Sequence, residues 1–359
     1  MLRRFLLTMA ALMLVFGATA CPSGGSDGEG GGEILSQVVD NDSLRCGVRD
    51  DLPGFAFLEG DDYAGFDVEF CRVIAAAVLG DADKVEFVSI PTEQRFTALQ
   101  GGEIDVLSRN TTWTSSRDGA EGASFVKTTF YDGQGMMVAA DSAYRSLEDM
   151  DGATICLAAG TTTELNLASR FGALGIDFEP LSFPDIDTVQ NNFIEGRCDG
   201  WTSDKSQLAG VRSNWPGDEG GSEGLRILDE TMSKEPLGPL VRDGDTDWFD
   251  VVNWAVLATI QAEEFEITSA NVDQIVEETD DPDITRFLGR PVEADEGEAA
   301  VFNPGLGLPE DFAYQVVKQV GNYEEIYNRN VGPETALGLE RGPNALWSQG
   351  GLHYAPPYR

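Results

Sequence analysis

From Leu44 onward, apolar residues recur in short blocks whose spacing alternates between strand and helix periods. Leu44 to Val48 is a compact apolar stretch and predicts a strand. Gly65-Phe66-Asp67 opens a segment in which Val68, Cys71, Ala75 and Val78 share one helical face. Lys84 to Ile90 predicts a second strand, Arg95 to Gln100 a helix, and Ile104 to Leu107 a third strand. The rhythm restarts after Met136-Met137-Val138-Ala139-Ala140, with a short helix from Leu147. A strand at Ala153 to Ala158 and a helix at Glu164 to Phe171 follow. Next come a strand at Asp177 to Leu181, a helix at Asp185 to Glu195 and a strand at Gly200 to Thr202. Pro216 to Gly224 is a Gly- and acid-rich excursion. Beyond Val241 the pattern is helical, over Trp248 to Glu264, Asn271 to Thr279 and Pro309 to Arg329. Strand and helix in alternation, twice over, predict an α/β chain with largely parallel sheets. The two units share rhythm but no repeated residues.

The first 32 residues stand apart from this pattern. Met1-Leu2-Arg3-Arg4 is basic, and Phe5 to Phe16 is apolar but too short to be a stable membrane span. Gly17-Ala18-Thr19-Ala20 then leads into Cys21, as in a bacterial lipoprotein signal. Ala18 stands where such signals usually carry Leu, so ordinary cleavage after Ala20 remains an alternative, and both fates export the chain. Pro22 to Gly32 has no apolar period and reads as a flexible tether. The expected division is a signal peptide at 1–20 and a lipid-attachment Cys with tether at 21–40.

Charge narrows the partners. The 359 residues carry 24 Lys plus Arg against 62 Asp plus Glu, a net charge of −38. A nucleic-acid partner is excluded, because binding a phosphate backbone requires cations. Such acidity keeps a chain soluble and monomeric, and a salt-rich habitat fits it too. After Cys21 four cysteines remain: Cys46, Cys71, Cys156 and Cys198. An even number in an exported chain predicts two disulfides, and three pairings are open. If the two halves form separate lobes, pairing within each half is favoured.

Against this scarcity of cations, one stretch is unusual. Ser108 to Gly119 reads SRNTTWTSSRDG, with two arginines and six hydroxyls in twelve residues. A guanidinium grips a carboxylate through two parallel hydrogen bonds, but the residues alone do not rank Arg109 against Arg117. Gly160-Thr161-Thr162-Thr163-Glu164 follows a strand and fits a capping box between Thr161 and Glu164. The N–H groups of that helix start also suit an anion. Asp204 closes the strand Gly200-Trp201-Thr202-Ser203, at the end of an α/β strand where ligands collect.

Several other patterns lead nowhere. Two literal G-x-S-x-G matches, at Gly24 and Gly220, neither follow a buried strand nor open a helix. The single histidine, His353, removes most Ser-His and Cys-His mechanisms and any multi-histidine metal site. Asp243-Gly244-Asp245-Thr246-Asp247 begins like a calcium loop, but Trp248 and Trp254 stand where Gly and Glu are required. It reads as a turn and helix cap. No metal and no cofactor are expected.

These pieces together resemble the solute-binding proteins of polar amino-acid ABC importers, and within them the general L-amino-acid-binding branch. The resemblance runs from about Leu44 to Pro357. It is carried by LRCGV, GFDVEFCR, RFTALQGGEIDVLSRNTTWTSSRD, YDGQGMMV, DGATICLAAGTTTELNL, GRCDGWTSD, SKEPLGP, KQVGNYEEIYNRNVG and GPNALWSQGGLHYAPP. The cysteine positions match this branch too. The resemblance implies a two-lobed type II periplasmic-binding-protein fold with crossings near Met137–Ala140 and Leu240–Asp243. Lobe 1 is then 41–138 with 242–359, and lobe 2 is 139–241. It implies that Arg117 and Thr112 hold a ligand α-carboxylate, with Asn110 lining the same pocket. From the second lobe Thr162, with Thr163 beside it, touches the carboxylate, and Asp204 pairs with the α-ammonium. Arg109 is expected to buttress the site or pair with a nearby acid.

Departures from the family pattern bear on selectivity. Relatives selective for basic amino acids carry an Asp and an aromatic residue after the first strand. Those positions hold Arg49 and Leu52 here, and the position that sandwiches the ligand falls on Thr92. An acidic or neutral polar amino acid is therefore expected, and no enzymatic activity. The implied partners are a free L-amino acid, an ABC importer permease with its ATPase, and a membrane through a lipid anchor at Cys21. The implied place is the periplasm or the outer face of the cytoplasmic membrane. The alternatives are a ligand-sensing module for a membrane receptor and a dehydratase of aromatic precursors on the same fold.

Overall fold

The computed structural model describes residues 32–292 and 300–359. The signal segment, Cys21 and most of the tether lie outside the described residues. Two five-stranded sheets organise the chain. In the first, strands run in the order Val85–Ser89, Leu44–Val48, Val106–Leu107, Leu240–Arg242 and Ala123–Phe125. In the second the order is Phe178–Phe183, Ala153–Ala158, Gly200–Asp204, Gln134–Ala139 and Leu225–Ile227. The first three strands of each sheet are parallel, joined by helical crossovers, and the fourth runs antiparallel to both its neighbours. The antiparallel strands are the ones next to the crossings, where the chain leaves one sheet and returns.

The crossings come earlier in the chain than expected. Phe130–Asp132 and Glu235–Leu237 form a two-stranded antiparallel ladder that links the sheets, with Tyr131 opposite Pro236. Gln134–Ala139 already belongs to the second sheet, and Leu240–Val241 already lie in the first. The boundaries expected at 138/139 and 241/242 are therefore corrected to the crossing strands. Apolar MMVA marks a buried central strand, and a central strand looks the same in sequence whichever sheet holds it.

Packing explains two further differences. Residues 33–40, expected as tether, belong to a helix, Glu33–Asn41, that buries Ile34, Leu35 and Val38. That spacing is one helical stripe, and Asp245 accepts the Ile34 N–H at 2.9 Å to fix its start. The helix expected over Pro309 to Arg329 is two helices, Phe312–Gln319 and Tyr323–Asn330. Gly321, at φ 101°, turns the chain, and Asn322 with Glu325 forms a capping box that starts the second helix.

The first-lobe core is aromatic and continuous. Phe55, Phe66, Phe130, Tyr323 and Tyr327 meet mostly edge to face at about 5–6 Å. Each lobe carries one disulfide, Cys46–Cys71 in the first and Cys156–Cys198 in the second. The loops they close span 25 and 42 residues. On a chain-entropy argument these contribute roughly 3.5 and 4 kcal/mol. The acid-rich segment Asp243–Asp247 is a turn, and Asp245 caps the long helix Thr246–Glu264 through the Trp248 N–H. No helix among the described residues is long and apolar enough to cross a membrane.

Candidate functional site

A cleft of about 480 Å³, counting its open mouth, lies between the two lobes. Its first-lobe wall is formed by Arg49, Thr92, Arg95, Arg109, Asn110, Thr112 and Arg117. The facing wall comes from the Thr161–Thr163 turn, Ser203, Asp204 and Gln207, with Ala158 and Ile186. These residues sit where parallel strands end, the position at which α/β sheets expose backbone and side chains to a ligand. All eight sequence-predicted residues, Arg49, Thr92, Asn110, Thr112, Arg117, Thr162, Thr163 and Asp204, line this one cleft.

The hydroxyl loop after Val106–Leu107 explains how the guanidiniums are aimed. Thr114 caps the short helix Ser115–Ala120 by accepting the Arg117 N–H, so Arg117 leaves the first turn toward the cleft. Its Nη1 donates to the Thr112 carbonyl at 2.9 Å, and the group lies 5.6 Å from the Phe96 ring. Burial pushes its pKa down, while Asp204, Glu235 and Glu121 oppose that. Arginine nevertheless stays charged. Arg109 plays another part: it donates through Nε to the Ile90 carbonyl at 2.7 Å and through Nη2 to Thr92 Oγ1 at 2.9 Å. Those bonds tie Arg109 to the strand end and to Thr92, beside it in the wall.

Asn110 takes a left-handed backbone conformation at φ 33°, which Asn tolerates better than most residues. Its N–H donates to Asp67 at 2.7 Å. Burial pushes the Asp67 carboxyl up to about 7, against that bond and the charges of Arg49 and Arg109. Asn110 then accepts from Arg49 at 3.0 Å, and Arg49 also pairs with Asp51 at 2.5 Å.

The second wall contributes differently. Thr161 is the N-cap of the helix Thr162–Leu174, yet its hydroxyl donates to the Ala158 carbonyl and makes no cap bond. Glu164 accepts instead from Ser182. The capping box expected between Thr161 and Glu164 is therefore absent: the strand-end carbonyl and Ser182 are nearer partners. The Thr162 hydroxyl donates to Glu235 at 3.0 Å. What this turn offers an anion is thus the uncapped N–H end of a helix. Asp204 begins the helix Lys205–Ser213 without capping it, so its carboxylate faces the cleft. Burial, then Asp132 and Glu235, push its pKa well above the usual carboxylate range; Arg117 and Arg49 pull against them.

Two lining residues that bond across the cleft escaped sequence reasoning. Arg95 is buried, donates across the cleft to the Gly160 carbonyl at 3.1 Å, and keeps its Nε without a hydrogen-bond partner. It follows the end of strand Val85–Ser89, the same signal that pointed to Arg117. Gln207 accepts from Arg49 and Asn110 across the cleft. It lies one helical turn beyond Asp204, a spacing that puts both on one face. These cross-cleft bonds hold the lobes together in this conformation.

The arrangement sets a cationic wall against a carboxylate. A small zwitterion with its anion toward the arginines and its cation toward Asp204 satisfies both. Among the described residues no group of three or more His, Cys, Asp or Glu is placed to hold a metal ion.

Comparison with known proteins agrees with the two-lobed fold. Residues 44–270 match the sequence model of the bacterial extracellular solute-binding proteins, family 3. The chain is 45% identical over 352 residues to the general L-amino acid-binding periplasmic protein AapJ of Rhizobium johnstonii, covering 98% of this chain and 97% of that one. It is 44% identical over 333 residues to the glutamate/glutamine/aspartate/asparagine-binding protein BztA of Rhodobacter capsulatus, covering 92% and 95%. Among solved structures, an ABC transporter periplasmic binding protein from Brucella ovis with glutathione bound superposes with a TM-score of 0.84 at 44% identity. That match covers 90% of this chain and 99% of that one.

Proposed function

We propose that this chain, which belongs to family 3 of the bacterial extracellular solute-binding proteins, captures a free L-amino acid between its lobes and hands it to the permease of an ABC importer. The observation that carries this reading is the opposition of walls across one cleft. Arg117 and Thr112 receive the α-carboxylate from one lobe; the helix start at Thr162–Thr163 receives it from the other; Asp204 receives the α-ammonium. Neither lobe satisfies both charges, so ligand binds the closed form better and shifts the population toward it. Hydrogen bonds to charged groups contribute about 1.5–3 kcal/mol each, and several together support micromolar or tighter binding, about −8 kcal/mol.

Selectivity follows from the charges left over. Among the described residues neither Arg95 nor Arg109 forms an ion pair with a carboxylate; their bonds go to the Gly160 and Ile90 carbonyls and to Thr92, and Arg49 opposes any cationic side chain. Acidic and neutral polar amino acids are favoured, glutamate and aspartate first. The Rhodobacter relative, a glutamate/glutamine/aspartate/asparagine-binding protein, supports that class. The protein acts outside the cytoplasm as a monomer, held to the membrane by a lipid at Cys21.

A second reading rests on a second cavity. A neighbouring cavity shares Thr92, Arg95, Arg117, Thr161 and Thr162 with the cleft and adds, among others, Glu93, Thr114, Ser116, Glu121 and Asn166. It gives room for a γ-glutamyl peptide whose glutamyl end occupies the inner cleft, and the Brucella relative was solved with glutathione.

The deciding experiment is a thermal-shift screen of the twenty amino acids and glutathione. A ligand at about 100 times its dissociation constant adds roughly 2.7 kcal/mol of stability, so glutamate or aspartate should raise the melting temperature clearly. No shift with any amino acid overturns the reading. Turnover of a prephenate-like substrate, expected to be nil, tests the dehydratase alternative.

A further inference from the structure

The crossing ladder has two outer edges, and each is occupied. On one edge the Pro236 carbonyl accepts the Trp113 N–H at 2.8 Å, from the same loop that carries Thr112 and Arg117. On the other edge Tyr131 turns its N–H and carbonyl outward. Asn344 meets both: its Oδ1 accepts the Tyr131 N–H at 2.6 Å, and its Nδ2 donates to the Tyr131 carbonyl at 3.2 Å. One side-chain amide thus stands in for one residue of a neighbouring strand.

Asn344 is firmly placed. It is buried, in the turn Gly342–Asn344. The Arg341 guanidinium donates to the Asn344 carbonyl at 3.0 Å and to both oxygens of Glu263 on the long helix, at 3.0 and 3.1 Å. That guanidinium also lies 5.1 Å from the rings of Tyr323 and Tyr327. Tyr323 in turn donates to the Thr129 carbonyl at 2.7 Å, just ahead of the crossing. His353, fully buried, packs its ring 5.2 Å from Tyr131 and 4.2 Å from Tyr323. Glu263, Tyr323, Tyr327, Arg341, Asn344 and His353 therefore form a first-lobe anvil against which one crossing strand is held. Asn344 and His353 lie beyond residue 270, where the family match ends, and neither lines the cleft.

We propose that the C-terminal segment around Asn344 is a hinge brace, which sets the balance between open and closed lobes and thereby the affinity for every ligand. Closure rotates the second lobe about the crossing strands, and a strand backed at Tyr131 bends only beyond it, toward Asp132 and Gly133. Asn344 is a positioning residue. It touches no ligand but confines where the hinge bends. Loss of the brace spreads bending over more residues and lowers the population of the closed geometry, and apparent affinity falls with that population.

The affinity part rests on the amino-acid reading above; the lobe geometry does not, and the test separates them. In the full exported chain, Asn344→Asp keeps the acceptor for the Tyr131 N–H but opposes an anion to its carbonyl, and Asn344→Ala removes both bonds. Calorimetry with glutamate, aspartate and glutamine should show affinity lowered five- to tenfold by either variant, with the ratios among ligands unchanged. Solution scattering of the empty protein should show a larger radius of gyration than wild type. Unchanged affinity and unchanged scattering overturn the brace, and so does a change in the ligand ratios. If wild type binds no amino acid, the functional reading fails and scattering alone decides the brace. If neither variant folds, amide exchange decides it in wild type: Tyr131 should stay as protected as the interior of Thr246–Glu264, with and without ligand. Rapid exchange there overturns the proposal.

Discussion

The two walls of the cleft solve opposite electrostatic problems. On the first lobe, guanidiniums are held in place by the protein's own oxygens: Arg117 by the Thr112 carbonyl, Arg109 by the Ile90 carbonyl and Thr92, Arg49 by Asp51 and Asn110. Their geometry is set before any ligand arrives. On the second lobe, Asp204 is buried near two more carboxylates, Asp132 and Glu235. Among the described residues no Lys or Arg forms an ion pair with Asp204, and on the proposed reading the ligand's ammonium takes that place. On that reading the site is preorganised for the anion and underfilled for the cation, so removing one group from each wall should have different consequences.

Arg117→Ala should break the comparison most completely. Removing the residue on which the carboxylate depends leaves an unpaired anion in a desolvated cleft, a loss of about 4 kcal/mol, or roughly a thousandfold in affinity. Calorimetry that finds less than a tenfold change would falsify the assignment.

Asp204→Asn should cost less, about a hundredfold, because Asp132 and Glu235 still bias that wall toward a cation. Its more telling effect is on pH. In the empty protein the Asp204 carboxyl sits above its ordinary range, held there by burial and by its acidic neighbours. The ammonium favours the carboxylate and draws that pKa down. Ligand therefore binds the deprotonated form and releases a proton. Affinity should rise with pH up to the raised pKa and level off above it. Calorimetry of wild type in two buffers of different ionisation heat should report proton release. Asp204→Asn should report much less, and equal release in both proteins would remove Asp204 from the role.

Arg109→Met sharpens the contrast within the first wall. Its bonds go to Ile90 and Thr92, so the expected loss is indirect, about three- to tenfold in affinity. A loss as large as that of Arg117→Ala would put Arg109 on the ligand instead. The smallest effect on binding is expected from the disulfides. Replacing Cys156 and Cys198 by serine, or Cys46 and Cys71, should lower stability by about 2–5 kcal/mol while leaving affinity nearly unchanged at 25 °C. Denaturant titration and calorimetry on the same samples check both halves of that statement.

Much of the fold and site was legible in the chain because local chemistry repeats at strand ends. Hydroxyls, Arg117 and Asp204 follow apolar strands, and the family motifs align with them residue by residue. Arg95 and Gln207 were less visible. A guanidinium opening a helix and an amide one turn after an Asp are ordinary until the lobes close and bring both to one cleft. The Thr161–Glu164 capping box fits the sequence spacing but lost to partners from elsewhere, Ala158 and Ser182. Helix Glu33–Asn41 was hidden by the polar tract before it, although Ile34, Leu35 and Val38 carry its stripe.

The sequence by itself determined the α/β alternation and the polar character of the site, which follow from residue type and spacing along the chain. The family and the ranking of Arg117 over Arg109 came from resemblance to known motifs, not from the residues' own chemistry. Tertiary structure alone decided where the chain crosses between lobes, because a buried apolar strand does not say which sheet it joins. It decided that Asp204 shares its surroundings with Asp132 and Glu235, brought together from three separate strands. It also decided that Asn344, more than two hundred residues away in the chain, backs Tyr131 at the hinge. Contacts of that range are paid for in loop-closure entropy, and only the closed three-dimensional packing shows which of them the chain makes.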